Sequence, residues 1–82
     1  MILKSKEFKL YLQLPISEKE KKLLFLMSDN VYHSTKEIAD WLEYWNRGTA
    51  VRFFKKCANK FNLDYDFVNY YGFRVNDNIY IE

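Results

Sequence analysis

The sequence predicts a single small α+β domain, and three observations carry that expectation. Two Ser-x-x-Glu segments, Ser17 to Glu20 and Ser34 to Glu37, have the spacing of helix starts. The stretch Ala50 to Phe61 repeats its apolar residues at helical intervals. Short alternating or β-rich runs occupy both ends of the chain. At 82 residues and 10.0 kDa the chain falls below the ~100 to 150 residues usual for one domain, so residues 1–82 are expected to form one unit around one core. Hydrophobic residues make up 49%, and 2 Trp, 7 Tyr and 7 Phe supply the large buried areas that a small core needs. Such a composition excludes a disordered chain.

The elements follow in order. Phe8 to Leu14 alternates, with Phe8, Leu10, Leu12 and Leu14 on one face, and predicts a half-buried strand that Pro15 stops. Ser17-Glu18-Lys19-Glu20 reads as a capping box opening a first helix. Its apolar residues, Leu23 to Met27, crowd the far half, which should be the more buried one, and Asp29-Asn30 ends it as a turn. Val31-Tyr32-His33 is a connecting strand. Ser34 to Glu37 repeats the capping pattern before a shorter second helix, from about Thr35 to Glu43. Asn46-Arg47-Gly48-Thr49 reads as a turn, with Gly48 free to take positive φ and Thr49 as the next N-cap. The third helix is expected over roughly Ala50 to Phe61. At the C-terminus, Phe73-Arg74-Val75 and Ile79-Tyr80-Ile81 flank Asn76-Asp77-Asn78, which predicts a hairpin pairing Val75 with Ile79.

The third helix is the most informative stretch. At ~100° per residue, Ala50, Val51, Phe54, Cys57, Ala58 and Phe61 share an apolar arc of about 120°, with Arg52, Lys55, Lys56, Asn59 and Lys60 opposite. Thirteen Lys and Arg against eleven Asp and Glu give a net charge of only +2. The distribution says more, because no acidic residue stands between Glu43 and Asp64. A merely solvated helix face usually interleaves Glu with Lys at i,i+4; this one is positive throughout.

Strand, helix, short strand, helix, turn, basic helix and terminal hairpin is the order of a winged helix-turn-helix. Ile16-Ser17-Glu18-Lys19-Glu20-Lys21-Lys22-Leu23-Leu24 resembles the Leu-Thr-x-x-Glu-x-x-Leu-Leu signature opening the first helix of OmpR/PhoB-type response-regulator effector domains. Val31 to Ile38 is similar to that family's short strand and second-helix start. Gly48-Thr49-Ala50-Val51 and the basic helix sit where the family places its recognition helix, and Tyr71-Gly72-Phe73-Arg74 looks like a loose Gly-x-Gly-Tyr-Arg wing ending, without its second glycine. The resemblance covers about residues 8 to 82 and implies a winged-helix fold that binds DNA. A receiver domain and activation by phosphorylation are not part of what it implies here.

On this reading the partner is double-stranded DNA. Arg52, Lys55 and Asn59 would lie near base edges, Arg47, Lys56 and Lys60 closer to phosphates, and Thr49 at the same helix start. Arg74, with Asn76, Asn78 and Tyr71, would contact DNA from the hairpin acting as a wing. Tyr65, Tyr70 and Tyr71 could stack on unpaired bases, although burial in an aromatic core is the commoner fate of such tyrosines. A module of this size covers a short site, so a homodimer or tandem binding on DNA is expected. The expected role is sequence-specific transcriptional regulation. The rival reading is a protein-interaction module whose partner surface is the aromatic group Trp41, Tyr44 and Trp45, although packing of those rings between helices is the blander alternative.

An enzyme is not expected. His33 is the one histidine and Cys57 the one cysteine, so neither a metal site nor a Cys-His pair is spelled out, and Gly48 and Gly72 alone make no phosphate loop. Cys57, on the apolar face, reads as a buried inert thiol, and no cofactor is expected. The absence of cysteine pairs fits a reducing, cytoplasmic setting. The longest apolar run, Leu23 to Met27, falls far short of the ~20 residues that span a bilayer, and no signal-peptide core follows Met1. No membrane partner is expected.

Overall fold

The computed structural model of the chain describes residues 3–4 and 16–81. The strand expected over Phe8 to Leu14 and its stop at Pro15 lie outside the described residues. In chain order the elements are β1 (Leu3–Lys4), α1 (Glu18–Met27), α2 (Thr35–Trp41), α3 (Arg47–Lys60), β2 (Tyr65–Val68), β3 (Gly72–Val75) and β4 (Tyr80–Ile81). The architecture is thus mixed α+β, with three helices and an antiparallel hairpin among the described residues.

Local chemistry sets the helix limits. The Ser17 hydroxyl accepts from the Glu20 amide at 3.1 Å, and Glu20 Oε1 accepts from the Ser17 amide at 2.9 Å, so the capping box opens α1 as expected. At Ser34 only the forward half forms: its hydroxyl accepts from the Glu37 amide at 3.0 Å, while the Glu37 carboxylate turns toward His33 instead. α2 stops at Trp41 rather than near Glu43, because Glu43 takes φ 62° and the chain reverses there. The Tyr44 amide reaches back to the Ala39 carbonyl at 2.8 Å, and the Glu43 amide to that of Asp40 at 3.2 Å, which closes the end as a Schellman motif.

Two sequence expectations are corrected at α3. Asn46, not Thr49, is the N-cap: its side-chain oxygen captures the Gly48 amide at 2.6 Å, so the helix starts a turn earlier and Thr49 falls inside its first turn. Gly48 is helical, the reversal having already been made at Glu43. The far end closes at Asn62, φ 53°, by the same motif as α2, with the Leu63 amide on the Ala58 carbonyl at 2.8 Å.

The apolar stripes of the helices meet in one core. Leu23, Leu24 and Met27 of α1, Ile38 and Ala39 of α2 with Leu42 just beyond it, and Ala50, Phe54, Cys57 and Ala58 of α3 with Phe61 are buried together with Phe73, Val75 and Ile79. The far half of α1 is indeed its buried half, although Phe25 faces out. Phe54 lies at the centre, with its ring 4.5 Å from that of Phe73 and edge-on to Tyr65 at 5.1 Å.

The hairpin is not where the sequence suggested. β3 pairs with β2, in the register Tyr65↔Val75, Asp66↔Arg74, Phe67↔Phe73 and Val68↔Gly72, and β4 pairs with β1. The expected Val75–Ile79 hairpin does not form, because Asn76-Asp77-Asn78 is anchored rather than looped out. The Asp77 carboxylate is buried and accepts from the Asp64 amide at 2.9 Å, and the Asn30 amide group donates to the Val75 and Asp77 carbonyls at 2.8 and 2.9 Å. On the other edge of β3, His33 and Phe73 exchange backbone hydrogen bonds of 2.8 and 2.9 Å. The connecting segment Val31-Tyr32-His33 therefore contributes one β-bridge rather than a strand. Gly72 makes the approach possible: at φ +97° it sits where a Cβ would collide with the His33 carbonyl group, 2.6 Å from the carbon, and come within 2.7 Å of Ser34 Cα.

Candidate functional site

The outward face of α3 is built by exclusion. Once Ala50, Phe54, Cys57 and Ala58 face the core, helical spacing leaves Lys55, Asn59, Arg52 and Lys56 within about 100° of arc on the solvent side, all exposed. Arg47, also exposed, stands in the first turn. Thr49 is half-buried beside them, and its hydroxyl accepts from Arg52 Nη2 at 3.3 Å. Ion pairs among the described residues join His33 to Asp29 and Glu37, Lys60 to Glu20, and Arg74 to Asp66. None of these acids reaches Arg47, Arg52, Lys55 or Lys56.

Lys60 belongs to a different environment. Its ammonium lies 3.0 Å from both oxygens of Glu20, so the acid missing from the neighbouring sequence is supplied across the core by α1. Burial works to raise the Glu20 pKa, but the Ser17 amide and Lys60 outweigh it and hold the carboxyl below its usual value. Cys57 lies beneath this pair. Burial foremost, with the Glu20 charge adding and that of Lys60 opposing, pushes its pKa up to about 12, so it stays an un-ionised thiol.

Arg74, expected on the wing, is occupied within the sheet. Its Nη2 lies 3.1 Å from Asp66, its Nε donates to Asn76 Oδ1 at 3.0 Å, and its guanidinium covers the Tyr32 ring at 4.6 Å. Asn76 in turn donates to Asp64 and Asp66, both at 3.2 Å. The projecting tip of the sheet is instead the β2–β3 turn, Asn69-Tyr70-Tyr71. Tyr70 holds φ 73° and is 100% exposed, Tyr71 is exposed while touching Tyr32, and Phe67 is exposed although its ring lies 4.8 Å from that of Phe73. Tyr65 alone of the three candidate tyrosines is partly buried against the core.

Between this turn and the start of α3 lies a cleft of about 340 Å³ lined by Ser34, Thr35, Arg47, Phe67, Asn69 and Tyr70. It carries an arginine, two aromatic rings and no carboxylate. Of these residues Arg47, as a phosphate contact, and Tyr70, as a stacking ring, are legible in the sequence. Phe67 lies within β2, opposite Phe73, and lines the same cleft as Arg47.

The aromatic group at the end of α2 divides. Trp41 stacks on Phe25, with centroids 6.5 Å apart and planes 9° from parallel, and its indole N–H donates to the Lys22 carbonyl at 2.8 Å. Tyr44 packs against Phe53 at 6.0 Å under the Lys19 ammonium. Trp45 is fully exposed. His33, buried between α1 and α2, has Nε2 2.9 Å from Asp29 and Nδ1 2.9 Å from Glu37. Burial would lower its pKa, but the two carboxylates prevail and raise it above the ordinary imidazole value. The ring is thus a clamp joining Asp29, just past the end of α1, to Glu37 of α2.

Among the described residues no helix is long and apolar enough to cross a membrane, and no group of three His, Cys, Asp or Glu could hold a metal. Comparison with family models, curated proteins and solved structures finds no match to this chain.

Proposed function

We propose that the chain is a winged-helix protein that binds double-stranded DNA through the outward face of α3, as a transcriptional regulator. The observation that carries this reading is the cluster Arg47, Arg52, Lys55 and Lys56 around Asn59, whose charges meet no acid among the described residues. Four cations held on one rigid helix suit a phosphate backbone, and Arg, Lys and Asn have the donors and acceptors to pair with guanine and adenine edges. The order of elements supports the fold assignment: β3 is flanked by the His33 bridge and by β2, directly after the helix pair α2–α3. The wing is then the turn Asn69-Tyr70-Tyr71, not Asn76-Asp77-Asn78. Lys60 and Arg74, each already paired with an acid, contribute less than the four open cations, and binding as a dimer or in tandem would add the affinity that a single module lacks.

The test is selection from random duplex DNA at low and at physiological salt, followed by sequencing of the retained fraction. Enrichment of a short motif is the expected result; no duplex retained even at low salt would refute the reading. The exposed Trp45, with the Phe25–Trp41 stack, favours a second reading as a protein-docking module. That module would bind its partner with little dependence on salt.

A further inference from the structure

Tyr70 poses a question that duplex binding alone does not answer. A large aromatic side chain, wholly exposed, is carried on a non-glycine residue with positive φ, in a turn that lines one cleft with Arg47 of α3. An exposed ring at a tight turn contributes nothing to the core. Its neighbours define what it could meet: Phe67 offers a second ring, Asn69 an amide that both donates and accepts, and Arg47 a cation that no described acid answers. Ser34 and Thr35 complete the polar wall, and the 340 Å³ cleft holds no carboxylate. Its size lies within the ~300 to 1,000 Å³ usual for small-ligand clefts. Flat apolar faces beside an open positive charge suit a ligand that is planar, able to hydrogen-bond, and negatively charged. A nucleotide with its base out of the stack has all three properties.

From this geometry we propose that the cleft between the β2–β3 turn and the start of α3 receives an unpaired base, with Tyr70 and Phe67 stacking on it, Asn69 at its edge and Arg47 on its phosphate. The inference rests on the DNA-binding reading and specifies its preferred substrate: a duplex carrying an unpaired nucleotide, at a fork, a bulge or a melted step, rather than an intact duplex. Stacking is tolerant of sequence, so this contact would report DNA structure while α3 reports sequence.

The test compares binding of the full chain to two DNAs of equal length and charge. One is a blunt duplex, and the other is the same duplex with a forked end bearing 2-aminopurine as its first unpaired base. About tenfold tighter binding to the fork is expected, the size of one base–aromatic stack, together with a change in 2-aminopurine emission. Tyr70→Asn keeps a residue that tolerates positive φ and removes the ring; it should abolish the emission change and bring the affinities for fork and blunt duplex together. Equal affinity for fork and blunt duplex, or a preference that survives in Tyr70→Asn, would overturn this inference and leave duplex binding standing. Retention of neither DNA at low salt would overturn both.

Discussion

Replacing Gly72 by alanine should be among the most damaging single-atom additions to this chain. Alanine at φ +97° is held in backbone space that costs an L-residue about 1 to 2 kcal/mol. The new Cβ would also press on the His33 carbonyl group and Ser34 Cα, forcing apart the His33–Phe73 backbone pair, with its hydrogen bonds of 2.8 and 2.9 Å. Each bond lost costs about 0.5 to 1.5 kcal/mol, which brings the total to about 2 to 5 kcal/mol. A chain of 82 residues has in all only about 4 to 12 kcal/mol of stability. Because 1 kcal/mol moves the midpoint of a domain this size by about 4 to 8 °C, thermal denaturation followed by circular dichroism should show a fall of at least about 8 °C. Gly48→Ala is the matched control. It lies in α3 without positive φ, its nearest new contacts are Asn46 Oδ1 at 3.0 Å and Arg52 Nη1 at 3.7 Å, and the gain in helix propensity offsets the squeeze on the cap. A change within about 1 kcal/mol of the wild type is expected there. Equal losses at the two glycines, or a Gly72→Ala midpoint within about 3 °C of the wild type, would refute the close-approach reasoning.

His33, the one histidine, should titrate above the ordinary 6.5 when followed by NMR, because its two carboxylate neighbours outweigh burial. A raised folded pKa means that its contribution is fully present below the unfolded value and is lost as pH rises through the folded one. The urea midpoint should fall across that window, and the fall should flatten in His33→Gln; a titration at or below 6.5 would contradict the clamp. Lys60→Ala should lower stability by about 1 kcal/mol through loss of the Glu20 pair and change the salt dependence of DNA binding little. Lys56→Ala should do the reverse, and an equal effect of the two on DNA binding would refute their assignment to different environments.

The parts of the fold that depend on local chemistry were readable in sequence. Ser17 with Glu20 announced α1, and the spacing of Ala50, Phe54, Cys57, Ala58 and Phe61 placed the core face of α3. What remained hidden depended on contacts distant in the chain. Asn46 and Thr49 are both N-cap residue types, and with the chain already reversed at Glu43 the helix begins at Asn46. The symmetric flanks of Asn76-Asp77-Asn78 suggest a hairpin, yet Asn30 and Asp64 hold Asp77 from 47 and 13 residues away. The actual turn was concealed because Tyr70, rather than a glycine, takes positive φ. The outward face of α3 was likewise legible as a pattern, but the pairing of Lys60 with Glu20, 40 residues apart, was not. The cleft beside Arg47 could not be foreseen while the hairpin was placed elsewhere.

Salt titration of duplex DNA affinity, for the wild type and for Lys55→Glu with Lys56→Glu, tests the central claim most directly. Both lysines are exposed on the outward face of α3 and make no ion pair with a described acid, so the double variant should fold with an unchanged circular dichroism spectrum and melting midpoint. Four open cations predict a slope of about −3.6 in log affinity against log salt, and removing two of them should cut it to about −1.8 or less with a large loss of affinity. A wild-type slope near zero, or a folded double variant that binds duplex DNA as tightly and with the same slope as the wild type, would contradict the assignment of α3 as the DNA-binding face.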